Sequence, residues 1–190
     1  SNVKPPGKSY FVKYFGGDGN QRAVGLIVNS DGTFFILGNS RIATDSLQKI
    51  YLAKADAQGN VIWQTTYGDA EMDARDFLID NNSIVVASNR SSAIGGTTKQ
   101  IQLTKFDASS GSVGINAVLQ FTSQPSASTI ANSIMALNNG DFVISGNTNY
   151  VEASHDHTQN ALHFRTDNNF VKRDILWLDI DGSGSINNIS

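Results

Sequence analysis

The sequence contains no cysteine, so no disulfide can stabilise the fold and no thiolate can bind a metal. It also has no apolar run of the roughly 20 residues that a membrane-spanning helix needs. Lysine and arginine form no cluster, and the net charge is −3, which argues against electrostatic binding of nucleic acid. These absences leave a chain that must fold by burying its apolar side chains.

Proline is scarce, and two of the three prolines lie together near the start of the chain. Residues 1–8 combine Pro5-Pro6 and Gly7 with polar residues, which predicts an extended tether outside the core. The remainder, 9–190, has the composition of a globular domain, because the chain is 39% hydrophobic and only 16% charged.

The chain does contain a repeated supersecondary unit. In residues 49–63 an apolar strand is followed by a tight turn, carrying Asp56 and Gly59, and by a second strand. The same pattern returns in residues 100–113 and in residues 174–186. A repeat of about fifty residues containing several short strands indicates an architecture built from stacked units.

Each copy is preceded by a predicted hairpin whose second strand is apolar on both faces. Such a strand is expected to lie between neighbouring sheets. The hairpins pair residues 22–28 with 33–40, 73–79 with 83–89, and 130–137 with 141–147. Four short antiparallel strands in each unit, and no predicted helix, indicate an all-β fold of the β-propeller type with about three blades.

The predicted blades cover approximately residues 9–61, 62–113 and 114–190, the last with an insertion at 148–173. The aromatic run 9–17 is predicted to be a strand of the type that ends a unit. For the third copy of the strand-and-turn pattern, residues 161–167 compete with residues 174–186. We prefer 174–186, because its apolar spacing and its Asp-x-x-Gly turn match the first two copies.

Two motifs carry a family resemblance. Asp31-Gly32-x-Phe34-x-Ile36-x-Gly38, followed by Lys54-x-Asp56-x-x-Gly59-x-x-x-Trp63, resembles the blade repeat of bacterial extracytoplasmic β-propeller proteins. The resemblance implies a secreted, periplasmic or lipid-anchored cell-surface location. The second and third copies depart from the pattern, since Asn81-Asn82 replaces Asp-Gly and no tryptophan follows Gly111 or Gly184.

Three blades are too few to close a ring, because propellers have about four to eight. Two arrangements would avoid exposed sheet faces. In one, two copies form a six-bladed homodimer in which each amino-terminal strand completes the partner's third blade. In the other, the chain is part of a longer protein. The sequence leaves both open.

All three histidines lie inside the predicted insertion 148–173, His155 and His157 in an His-x-His pair and His163 shortly after. An His-x-His pair on an extended segment places both rings on one side, so these residues, with Asp156, could bind zinc or a ligand. The alternative is a polar surface loop whose histidines are solvated.

Residues 179–186 resemble the start of a calcium-binding EF-hand loop. Oxygen ligands would come from Asp179, Asp181, Ser183 and Ser185. The twelfth position is Ser190 instead of glutamate, and no helix is predicted on either side. We therefore predict no cofactor, with Ca²⁺ and Zn²⁺ as alternatives.

The repeat and the resemblance together predict a non-enzymatic extracytoplasmic scaffold that binds protein or carbohydrate. No residue is assigned a catalytic role. The alternative function is a hydrolase or lyase that acts on polysaccharide through the histidine-containing insertion.

Overall fold

The computed structural model describes residues 12–43, 46–119, 127–149, 160–180 and 186–189. In this part of the chain every regular element is a β-strand, as the sequence predicts. The strands form three antiparallel sheets, and within each sheet consecutive strands are neighbours.

Sheet 1 contains β1 (Asn20–Val28), β2 (Phe34–Arg41), β3 (Lys49–Ala55) and β4 (Val61–Tyr67). Sheet 2 contains β5 (Glu71–Asp80), β6 (Ser83–Ser91), β7 (Gln100–Asp107) and β8 (Val113–Leu119). Sheet 3 contains β9 (Thr129–Ala136), β10 (Phe142–Thr148), β11 (Asn160–Thr166), β12 (Lys172–Ile180) and β13 (Ile186–Ile189).

The three sheets stack in chain order, and one apolar core fills each space between neighbours. The first strand of each later sheet packs on the preceding sheet: β5 contacts β1, β2 and β3, and β9 contacts β5, β6 and β7. The first core includes Phe35, Leu52 and Phe77, and the second includes Leu103, Phe142 and Leu162. Sheet 2 is therefore covered on both faces, which explains why its central strand β6 is buried along almost its whole length.

The strand turns follow from their residues. Gly32, Gly59, Gly111 and Gly140 have positive φ angles of 74–85°, which side chains other than glycine rarely adopt. In the β3–β4 turn, the Asp56 carboxylate accepts hydrogen bonds from the amides of Gln58 and Asn60, at 2.9 and 2.8 Å. In the β7–β8 turn, Asp107 accepts in the same way from Ser109 and Ser110, at 3.0 and 2.8 Å.

The preferred assignment of the third copy to residues 174–186 is wrong. The structure places β11 (Asn160–Thr166) between β10 and β12, so the competing segment 161–167 is the third copy. Asp167 then makes the turn, accepting from the amides of Asn169 and Val171 at 2.8 and 2.9 Å. Phe170 takes the position that glycine holds in the first two turns, with φ at 65°. Because the glycine is absent, the Asp-x-x-Gly pattern does not identify this copy in the sequence. Residues 174–180 belong to β12, which lies between β11 and β13.

Three further expectations also change. The part of the run 9–17 that the structure describes, residues 12–17, contains no strand. The predicted insertion 148–173 contains β11 and the turn that follows it. Sheet 3 also has its own fourth strand, β12, and a fifth, so it needs no amino-terminal strand from a partner to complete it.

Candidate functional site

A cleft in the described part of the chain lies at one end of sheet 1. Its volume is about 400 Å³, within the range of about 300–1,000 Å³ that is usual for ligand sites. Residues 16–18 form one wall, and the ends of β2, β3 and β4 form the other. The lining residues are Gly16, Gly17, Asp18, Ser40, Ile42, Tyr51, Gln64, Thr65 and Thr66.

The wall formed by residues 16–18 depends on glycine. Gly16 has φ at 115°, and a Cβ there would lie 2.8 Å from the side chain of Gln21. The segment is held down at its start, where Phe15 packs edge-on against Phe34 with ring centroids 6.1 Å apart. The Gln21 side chain then donates to the carbonyl of Asp18 at 3.1 Å. The sequence Gly16-Gly17-Asp18-Gly19 thus forms a turn beside the sheet.

Tyr51 and Gln64 form the polar centre of the cleft. The Tyr51 hydroxyl donates to Gln64 Oε1 at 2.9 Å, which leaves the amide nitrogen of Gln64 available to a ligand. Burial raises the pKa of the Tyr51 phenol, although a backbone hydrogen bond from Gly16 opposes the rise. The phenol is therefore neutral near pH 7 and remains a donor. With the hydroxyls of Ser40 and Thr66, the cleft offers both donors and acceptors.

Of the three histidines in the predicted site, only His163 lies in the described part of the chain. His155 and His157 lie outside the described part of the chain. His163 lies on β11, where it is paired with Ser145 of β10 and is half-buried. It occupies the position that buried Leu52 and Leu103 hold in sheets 1 and 2. The structure therefore places His163 on the open face of sheet 3.

The calcium-like segment is also largely outside the described residues, which exclude Asp181, Ser183 and Ser185. Asp179 lies in β12 and pairs with Asn187 of β13. Among the described residues there is no group of three or more histidine, cysteine or acidic side chains that could hold a metal ion. The described part of the chain also has no helix that is long and apolar enough to span a membrane.

The open face of sheet 3 is more polar than the faces that the chain buries. Ser133 and Ser145 are cross-strand partners whose hydroxyl oxygens are 2.6 Å apart. Arg165 lies next to them on β11 and pairs with Asp174, and its Nε atom is 3.6 Å from Asp141. Hydroxyl, imidazole and guanidinium groups therefore share this face.

The comparisons with known proteins give no family. No protein-family model matches the sequence, and no curated protein matches it either.

Sequence reasoning missed the cleft. Its polar residues are contributed by four separate segments, and none of them forms a motif with regular spacing. The one available signal was the double glycine at Gly16 and Gly17, which marks a close approach of the backbone to a neighbour. Trp63, by contrast, packs against the first core, 5.9 Å from Phe35 between ring centroids.

Proposed function

We propose that this chain is a non-enzymatic scaffold of the β-propeller type that binds carbohydrate at the cleft of sheet 1. Three features support the propeller arrangement: sheets of consecutive antiparallel strands, stacking in chain order, and first strands that contact the preceding sheet. The resemblance of the repeat to extracytoplasmic propeller proteins supports a secreted, periplasmic or cell-surface location.

The chemistry of the cleft supports carbohydrate as the ligand. A sugar presents many hydroxyl groups that both donate and accept hydrogen bonds. The cleft offers matching groups, namely one side-chain amide, several hydroxyls and peptide groups. The pair of Tyr51 and Gln64 carries the proposal, because its 2.9 Å hydrogen bond fixes the amide before a ligand arrives. Such preorganisation lowers the entropic cost of binding.

The single acidic side chain in the described lining of the cleft favours binding over hydrolysis. Glycoside hydrolysis ordinarily uses two carboxyl groups on either side of the bond that is cleaved. Among the described lining residues, Asp18 is the one carboxylate. A hydrolase or lyase at the histidine-containing loop remains the alternative function, and no catalytic residue is proposed.

The substitution Gln64→Ala tests the ligand site. Gln64 is exposed but accepts from the Tyr51 hydroxyl, so its removal is expected to cost the fold about 1 kcal/mol, which urea unfolding checks separately. Losing one ligand hydrogen bond of about 1 kcal/mol should weaken binding roughly fivefold. Titration calorimetry with maltose, cellobiose and lactose measures the change. Gln58→Ala, the same substitution on an exposed turn, is the matched control.

Equal affinities for wild-type protein and Gln64→Ala would contradict the site. Failure of all three disaccharides to bind the wild-type chain at millimolar concentration would contradict carbohydrate as the ligand.

A further inference from the structure

A side-chain contact is repeated at both junctions between sheets. Asn39 of β2 accepts from the amide of Ala74 at 2.8 Å and donates to the carbonyl of Ala74 at 3.3 Å. Asn89 of β6 makes the same pair of bonds with Ala131, at 2.8 and 3.4 Å. One asparagine thus satisfies both peptide groups of an alanine on the next sheet. We call this contact the asparagine clamp.

The clamp belongs to a particular backbone feature. Ala74 and Ala131 each directly precede the extra residue of a β-bulge in the first strand of their sheet. A bulge takes backbone groups out of the ladder, and buried peptide groups need a partner. The asparagine supplies that partner from the central part of the preceding sheet.

The residues for a third asparagine clamp are present, but the alanine and the asparagine lie at opposite ends of the stack of sheets. Ala23 directly precedes the bulge of β1, on the open face of sheet 1. Asn147 occupies in β10 the position of Asn39 and Asn89. Within the described residues, Asn147 accepts from Asn132 at 3.4 Å and clamps no alanine. The two open ends therefore carry the complementary halves of one clamp.

Apolar side chains beside these residues are exposed at the same two ends. Leu26 and Val28 of β1 are 57% and 63% exposed, although their counterparts Phe77 and Ile79 in sheet 2 pack in the first core. Met135 of β9 is 57% exposed, although its counterpart Leu78 packs against the second core. At these residues both ends resemble the halves of a sheet junction, although Phe15 of the same chain already packs on Phe34 elsewhere on this face of sheet 1.

We propose that sheet 3 of one copy stacks on sheet 1 of a second copy, with Asn147 clamping the peptide groups of Ala23. Two such contacts, related by a twofold axis, close six sheets into a ring, within the range of about four to eight blades. The polar groups at Ser145 and His163 suit this junction, because an interface between chains is generally more polar than a core. The proposal rests on the stacking of the sheets in the proposed function. Tyr51 holds the position of Gln102, which is buried at the junction of sheets 1 and 2, so the proposed contact covers the Tyr51 side of the cleft and should compete with carbohydrate binding.

Pairs of introduced cysteines test the contact, because the natural chain has none. Ala23→Cys with Asn147→Cys should give a covalent dimer on oxidation, seen as a doubled mass on a non-reducing gel. Asn39→Cys with Ala74→Cys is the geometric control and should link within one chain. Ala23→Cys with Gln58→Cys is the negative control, because Gln58 lies on an exposed turn.

A disulfide requires Cα atoms within about 7 Å, so the same pairs are also treated with a bismaleimide of about 10 Å span. A dimer from the Ala23 and Asn147 pair, with a linked monomer from the Asn39 and Ala74 pair, supports the proposal. A chain that stays monomeric with both the oxidant and the bismaleimide overturns it. Sugar binding that persists in such a monomer would show that only the assembly had failed.

Discussion

At the scale of single residues, the backbone angle of Phe170 illustrates how one side chain can outweigh strain. Phe170 takes the left-handed position at which the first two repeats have glycine. Its ring is 2% exposed and lies 6.0 Å from that of Phe142 between centroids. The Lys105 ammonium lies 5.6 Å from the same ring and donates to the carbonyl of Asn168 at 2.7 Å. The third turn is therefore held to sheet 2 by packing that a glycine could not provide.

Replacing Phe170 with glycine should destabilise the protein. Loss of the buried ring costs about 3–5 kcal/mol, whereas relief of the left-handed backbone returns about 1–2 kcal/mol. The net loss is roughly 2 kcal/mol, measured by urea unfolding. Asn81→Gly is the control, because Asn81 has φ at 54° but is exposed, and it should change stability by less than about 1 kcal/mol. A Phe170→Gly variant as stable as the wild type would refute this account.

The limits of sequence reasoning are clearest at the same residue. Two repeats were assigned correctly because Asp56 with Gly59 and Asp107 with Gly111 display the turn directly. The third was missed because Phe170 lacks the sequence mark of a left-handed turn. A second Asp-x-x-Gly segment, at Asp181, provided a false match. Only pairing across the sheet distinguishes the two, and pairing depends on contacts that are distant in sequence.

At the scale of elements, the turn that joins the third and fourth strands of each sheet is built around an aspartate. Hydrogen bonds from the Ser109 and Ser110 side chains, and then from the Ser110 amide, lower the pKa of Asp107 to about 2. The pKa of Asp56 is lowered chiefly by the Asn60 side chain, and that of Asp167 chiefly by the Val171 amide. All three turns thus favour the ionised carboxylate.

These turns predict a loss of stability in acid. A folded pKa below the ordinary value of 3.8 stabilises the fold at pH above about 4, and this contribution disappears as the pH falls towards 2. Asp107→Asn should therefore be less stable than wild type at pH 7, with a difference that shrinks between pH 4 and pH 2. Urea unfolding across this range measures it. Asp69→Asn, which removes an exposed partner of Arg90, is the control.

A difference between Asp107→Asn and wild type that stayed constant from pH 7 to pH 2 would contradict this explanation, since it would show that ionisation of the turn does not matter.

The strand pattern itself was largely predictable. Alternating and doubly apolar runs gave the first three strands of sheets 1 and 2, because their burial follows directly from composition. The sequence could not show that β10 is less buried than β2 and β6, its counterparts in sheets 1 and 2. Ser145 and the half-buried Asn147 make sense only once sheet 3 is known to have an open face.

At the scale of the whole molecule, the cores between sheets account for the stack, and Leu26 and Val28 at one end and Met135 at the other are exposed. The same asparagine clamp joins sheet 1 to sheet 2 and sheet 2 to sheet 3. The expectation that an amino-terminal strand completes a partner's third blade is wrong, because β12 is already the fourth strand of sheet 3. The proposed dimer therefore joins faces of sheets instead of exchanging a strand.

The cleft and the clamp involve different strands of sheet 1, although Tyr51 and the exposed Leu26 lie on the same face of that sheet. Ala23 lies on β1, whereas Tyr51 and Gln64 lie on β3 and β4. A ligand site and an assembly contact can therefore be tested by separate substitutions. The cleft could not be predicted from the sequence, because residues 16–18 meet β3 and β4 only after folding.

The most direct test of the stacked-sheet account is the mass of the unmodified chain in solution, measured by light scattering after size exclusion across a range of concentrations. The account predicts a dimer of twice 20.4 kDa that dissociates on dilution and does not grow into larger oligomers. A monomer that persists at the highest concentration would contradict the six-sheet ring, and so would an open series of trimers and tetramers.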